Sequence, residues 1–260
     1  MYSNLNRAQV KAEAKEIMRS ARVSPLLMTL LMMAIVFVLQ RLTDLVEGGS
    51  LFYSYGMIRQ YYAILQSGDI NAWQDLINSL PDNTAISAFF SMLVSLVGIV
   101  LNGGYYIYCI GIRRGGAMPF ATLADGLGVA GKLIWCSILM WIKIFLWSLL
   151  FWIPGIIAAY RYRFAYYNIL TDNSLTAGEA IRLSCQQTQG MKGELFILDL
   201  SFFGWMILSS LTLGLLNIWL TPYMTLCDLA YFEEGQRRVG RDGFYGPQNP
   251  PADGNPWGRL

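Results

Sequence analysis

Five charged residues stand inside stretches that are otherwise apolar: Lys143, Arg161, Arg163, Asp199 and Asp228. An ion at membrane depth costs roughly 2.5–3.5 kcal/mol or more on insertion scales, so such residues persist when they are paired, hydrated or useful. Counted along their helices at about 1.5 Å per residue, Asp199 and Asp228 come to similar depths, with Arg163 somewhat deeper and Arg161 deeper still, all within one or two turns. A cluster of Arg161 or Arg163 with Asp199 and Asp228 is therefore sterically allowed. It has two chemical readings: an ion pair that holds the helices in register, or an ion, proton or lipid-headgroup site. Lys143 falls near the middle of its stretch, too far from an interface to snorkel easily. It calls for a partner, a wet cavity, or a desolvated neutral amine.

Other chemistry is excluded by residue type. The chain has no histidine, which removes the commonest metal ligand and general base. Cys109, Cys136, Cys185 and Cys227 are widely spaced without a Cys-x-x-Cys pair, so they read as packing residues rather than a zinc or redox site. Glu233, Glu234 and Arg238 match a pattern of membrane prenyl-protein proteases, but those enzymes also need histidines. The two aspartates lack the sequence context of intramembrane aspartyl proteases. The aromatic series Tyr160, Tyr162, Phe164, Tyr166 and Tyr167 could line a groove, though packing or interfacial placement is the commoner use. The expectation is a protein without enzymatic activity, cofactor or metal.

The elements that must position these residues follow from composition. Of 260 residues 55% are hydrophobic and only 14% charged, where a soluble domain carries about 25% charged residues. The apolar stretches predict an all-α, polytopic membrane helix bundle with six transmembrane helices, at about 25–46, 85–112, 133–153, 154–170, 195–213 and 215–232. Residues 1–23 read as a cytoplasmic amphipathic lead, with Arg7, Lys11, Lys15 and Arg19 on one side. Residues 47–84 form an acidic outer connection. Asn102, Gly103 and Gly104 are expected to loosen the second helix, and Pro154 with Gly155 to break the chain before the fourth. Thr176 and Glu179 form a capping-box pattern ahead of a short amphipathic helix. The Gly- and Pro-rich segment 235–260 reads as a disordered tail.

Lys and Arg cluster in the N-terminal segment, the second-to-third and fourth-to-fifth connections, and the tail. Six crossings with both termini inside put all of these in the cytoplasm. The expected location is the cytoplasmic membrane, multi-pass, with membrane lipids as partners and a membrane-protein partner or homo-oligomer as a further one. A net charge of +2 gives no reason to expect nucleic acid.

The second half carries an ordered series of motifs. These are WIPGI from Trp152 to Ile156, Tyr162 to Leu170 with Asp172 and Asn173, AIRLS from Ala180 to Ser184, and GMKG from Gly190 to Gly193. FILDLSFFGW from Phe196 to Trp205, Leu213 with Gly214, Pro222 with Tyr223, and Tyr231 to Glu233 complete it, and Arg7 with Ala14 and Lys15 fit an N-terminal lead. With this series the chain resembles the DUF975 family of bacterial integral membrane proteins, over nearly its whole length except 47–84 and the tail. The resemblance implies a multi-span membrane protein and assigns no activity. The composition and the resemblance lead to a non-enzymatic envelope, export or lipid-handling component. The rival is a small transporter that uses Lys143, Arg161, Arg163, Asp199 and Asp228 as its polar pathway.

Overall fold

The computed structural model describes residues 5–46, 84–240 and the single positions 59, 62, 64, 65 and 73. The described residues form helices and no strands. They fall into two compact units, one of 1–32 with 99–260 and one of 33–98. The outer connection 47–84 lies outside the described residues apart from those single positions and Thr84, as does the tail from 241 onward.

The helices are α1 Arg7–Ser20, α2 Pro25–Val46, α3 Thr84–Arg113, α4 Thr122–Asp125, α5 Ala130–Leu150, α6 Trp152–Tyr162, α7 Ala165–Thr171, α8 Ala177–Gln187, α9 Lys192–Leu211 and α10 Asn217–Arg238. A 3₁₀ turn, Gly126–Val129, leads from α4 into α5. Four helical stretches are long and apolar enough to cross a membrane: Pro25–Thr43, Ala88–Arg113, Thr122–Leu150 and Lys192–Leu211. The expected fourth and sixth crossings are not among them.

The fourth differs because it is two pieces. α6 ends at Tyr162 and α7 begins at Ala165, so α6 supplies only about 16 Å of helix. A side chain from α8 enters the gap. The Phe164 N–H donates to Ser184 Oγ at 3.1 Å, and Ser184 Oγ donates in turn to the Arg161 carbonyl at 2.8 Å. One hydroxyl thus satisfies both backbone groups that the break would otherwise orphan. The expected sixth crossing differs because α10 is a core helix, buried around much of its circumference from Leu220 to Gln236. Pro222 sits inside it and withholds one ladder donor.

α10 also runs past Gly235 to Arg238, with Gly235 and Gln236 buried, so the first residues of the segment read as a disordered tail are helix. Gln236 Nε2 donates to Asn168 Oδ1 at 3.2 Å. Asn168 and Gln187 exchange two further amide bonds, of 2.9 and 2.8 Å. This buried amide triad ties α7, α8 and α10 together.

Gly103 and Gly104 do not interrupt α3. They make room: a Cβ on Gly104 would strike the Leu123 carbonyl, and one on Gly126 would strike the Val100 carbonyl. The sequence Asn102-Gly103-Gly104 therefore marks a close helix approach rather than a loosened helix. Pro154 lies in the first turn of α6, where its missing donor costs nothing.

The capping box forms as its spacing predicts. Thr176 Oγ1 accepts from the Glu179 N–H at 3.3 Å, and Glu179 accepts from the Thr176 N–H at 2.9 Å. These bonds hold the Glu179 carboxyl below its ordinary pKa, the backbone bond most of all. The stability they bring is present at neutral pH and lost as pH falls through the lowered value.

In the unit 33–98, Thr43 Oγ1 donates to the Leu39 carbonyl at 3.1 Å and Ser95 Oγ to the Ser91 carbonyl at 2.8 Å. Both hydroxyls fold back on their own helix.

Candidate functional site

Arg163 stands in the break between α6 and α7, and the break aims it at α9 and α10. Its Nη1 reaches Asp199 Oδ2 at 2.6 Å and its Nη2 reaches Asp199 Oδ1 at 2.8 Å. Nη2 also lies 2.7 Å from Asp228 Oδ1, and Nε lies 3.3 Å from Asp228 Oδ2. All three guanidinium nitrogens are engaged, and both aspartates are held in fork geometry. Tyr160 Oη donates to Asp199 Oδ2 at 2.8 Å, and its ring stands 5.7 Å from the guanidinium carbon. One cation against two carboxylates leaves the cluster one negative charge in excess when all three are ionised.

The structure brings Arg163, Asp199 and Asp228 together but leaves Arg161 and Lys143 apart from the carboxylates. Arg161 contributes its backbone carbonyl, the acceptor for Ser184 and, at 3.4 Å, for Thr188. Lys143 Nζ stands 5.8 Å from the centre of the Tyr162 ring, a cation–π placement.

A cavity of about 230 Å³ opens beside the cluster. Arg163 and Asp228 form its polar end, with Tyr106, Tyr162, Tyr166 and Tyr167 around them. Met140, Ile144 and Ala159 form its apolar wall. Tyr106 packs edge-on against Tyr167 at 5.2 Å, and Ser137 and Tyr166 share a hydroxyl contact at 2.6 Å. Part of the aromatic series therefore lines a cleft as well as packing. Tyr106 was missed by sequence reasoning, because α3 carries no charge before Arg113 and so gives no local signal there.

A second ionic site was also missed. Arg113, at the end of α3, holds Glu233 through Nε at 2.8 Å and Nη2 at 2.9 Å, and Glu13 through Nη2 at 3.1 Å. It ties α1, α3 and α10. Glu234 pairs with Arg238 at 3.1 Å, one helical turn on. Glu233, Glu234 and Arg238 thus all take part in ion pairs.

α1 packs on α10 through Val10 and Ala14. Lys11 Nζ rests 4.6 Å from the Phe202 ring centre and Lys15 Nζ 5.7 Å from that of Tyr223. Burial pulls the Lys11 ammonium below its ordinary pKa. Among the described residues no three acidic or cysteine side chains converge as metal ligands.

Residues 138–238 match the model of the family DUF975, described as a protein of unknown function. The matched segment runs from the middle of α5 to the end of α10. It contains Lys143, Arg161, Arg163, Asp199 and Asp228, and most of the cavity. No curated protein and no solved structure matches the chain.

Proposed function

We propose that this chain is a non-enzymatic, multi-pass protein of the cytoplasmic membrane that handles lipid, with both termini in the cytoplasm. The observation that carries the reading is the cavity beside Arg163. Its walls are apolar on one side and hydroxylated and charged on the other, which suits an amphipathic ligand better than a water-soluble one. The surroundings agree with this, since the halves of α5 and α9 away from the cluster expose large apolar side chains and leave the cavity among hydrocarbon. The orientation rests on the basic segments, which all fall on one side.

The test fills the cavity. Ala159→Trp places an indole in the apolar wall without touching the ionic cluster. Purified in mild detergent and examined by native mass spectrometry, the wild type should retain phospholipid, and the variant should lose most of it at an unchanged melting temperature. Equal retention by a folded variant would overturn the lipid-handling reading.

The transporter reading draws on a different observation: Arg163 and Asp228 reach the cavity rather than being sealed away. It makes the charges a pathway, so neutralising them would abolish uptake of a solute while leaving stability nearly intact.

A further inference from the structure

The depth of the ionic cluster can be read from two contacts that involve none of its members. The first is the seat of α1. This helix exposes Arg7, Glu13, Lys15, Glu16 and Arg19, so it belongs to water or the headgroup layer. The Lys11 and Lys15 ammonium groups must stay wet, yet they rest on the rings of Phe202 and Tyr223. Those rings therefore lie within a side chain's reach of the interface. Beyond Phe202, α9 continues for only about 16 Å of helix to the turn at Leu213. From Tyr223 back to Leu215 is about 12 Å. The hydrocarbon core is about 30 Å thick.

The second contact is Tyr108 Oη, which donates at 2.7 Å to the Val23 carbonyl. Val23 lies in the loop between exposed Arg22 and the start of α2, at the polar edge. Tyr106, about 3 Å further along α3, lines the same cavity as Arg163 and Asp228. The cluster is thus roughly one helical turn from that edge, and from Arg163 back to Phe151 the chain extends only about 18 Å. Lys143 agrees. Its side chain leans toward the start of α5, and its ammonium reaches Tyr162, next to Arg163.

The two turns have the chemistry of hydrocarbon, not of water. No charge occurs in 144–160 or 200–227. Phe151 is 71% exposed, Ile153 71% and Leu213 94%. Leu213 has φ +52, a conformation for which a wet turn selects Gly or Asn. The α9–α10 turn bonds itself: Gly214 N–H to the Ser209 carbonyl at 2.8 Å, Leu215 N–H to the Thr212 carbonyl at 3.1 Å, and Asn217 N–H to the Gly214 carbonyl at 3.0 Å. A Ser209–Asn217 side-chain bond of 2.6 Å closes it. Lipid demands such internal satisfaction of the backbone.

We propose that α5–α6 and α9–α10 are re-entrant hairpins. They enter the bilayer from the side of the Arg163 cluster, set their turns among acyl chains near the midplane and return, while α2 and α3 cross. The helices α5 and α9 are long enough to cross, but part of each is spent on the polar side of the cluster. Removing two hairpin crossings leaves an even number, so both termini stay on one side and terminal reporters cannot see the difference.

The proposal rests on the chain being membrane-embedded, so its test is made on the full chain in sealed vesicles after a carbonate wash. Phe151→Cys and Leu213→Cys are each made with Cys185→Ser, since the other three cysteines are buried. Ile153→Cys replaces Phe151→Cys, and Leu211→Cys replaces Leu213→Cys, where either fails to express. A membrane-impermeant maleimide should label neither turn from either face. Bimane attached to each cysteine in detergent before reconstitution should be quenched several-fold more by lipid with a nitroxide at mid-chain than by lipid with one at the headgroup. Labelling from the outer face would mean that the hairpins cross and would overturn the proposal. Labelling from the cytoplasmic face would put the turns in water and overturn it equally. Protection without lipid quenching would mean that protein, such as a second copy, covers the turns, again overturning it. Extraction by carbonate would defeat the membrane reading itself.

Discussion

At the scale of residues, Arg163 shows why one cation can hold three segments. Its fork engages both oxygens of Asp199 and both of Asp228, and Tyr160 takes a remaining lone pair. Removing the arginine leaves two carboxylates facing each other. Arg163→Ala should therefore cost more than Asp199→Ala, and each about 2–4 kcal/mol. That is the lower part of the range for breaking a buried pair, because all three side chains keep some exposure. The double variant should recover part of the loss, read as a coupling energy from thermal melts in detergent. Strict additivity would mean the residues do not act as a pair. The cluster was partly legible in the sequence because charge in an apolar run is a strong signal, and depths that agree within one or two turns can be counted, although the count does not choose between Arg161 and Arg163. Lys143 and Arg161 carry the same signal but lie outside the carboxylate cluster. The Tyr162 ring that Lys143 meets and the helix break beside Arg161 are tertiary features that no count of depth reveals.

At the scale of elements, the interruption between α6 and α7 is the informative departure. A continuous helix from 154 to 170 is the natural reading of a run that is aromatic and apolar apart from Arg161, Arg163 and Asn168, since nothing in Arg163 or Phe164 itself breaks a helix. The cause lies in another element. Ser184 offers both a donor and an acceptor to the open backbone, and a tertiary partner of this kind has no local signature. Ser184→Ala would leave the Phe164 N–H unpaired in the interior and the Arg161 carbonyl with only the long Thr188 bond, costing about 1–3 kcal/mol. Thermal melts should show a loss that Ser184→Thr partly restores, since it keeps the hydroxyl. An unchanged melting point for the alanine variant would mean that the gap is satisfied otherwise. The helix ends, by contrast, were legible wherever chemistry is local: the capping box at Thr176, Pro154 at the start of α6, and Gly214, with φ +83, in its turn.

At the scale of the whole molecule, the all-helical class and the apolar character followed from composition, and the number of crossings did not. Counting apolar residues cannot separate a helix that faces lipid from one that faces protein. The run 215–232 reads like a span, yet α10 is among the most buried elements of its unit. Reporter fusions address the orientation. A fusion after Ser79 should read outside, and fusions after Gly116, after Gly190 and in the tail should read inside; an inside reading at Ser79 would reverse the assignment of the basic segments.

The charge map has an electrical consequence. The hairpin segments 144–160 and 200–227 contain no ionisable acid or base of the Asp, Glu, Lys or Arg kind, so a voltage across the bilayer does no work on them as they enter it. The connection 47–84 carries Glu47, Asp69, Asp75 and Asp82 against Arg59 alone. On the proposed orientation, with the termini inside, an interior-negative potential would drive that connection outward, by on the order of 7 kcal/mol per 100 mV. Biogenesis of this chain is then voltage-assisted at one pair of helices and voltage-blind at the other two.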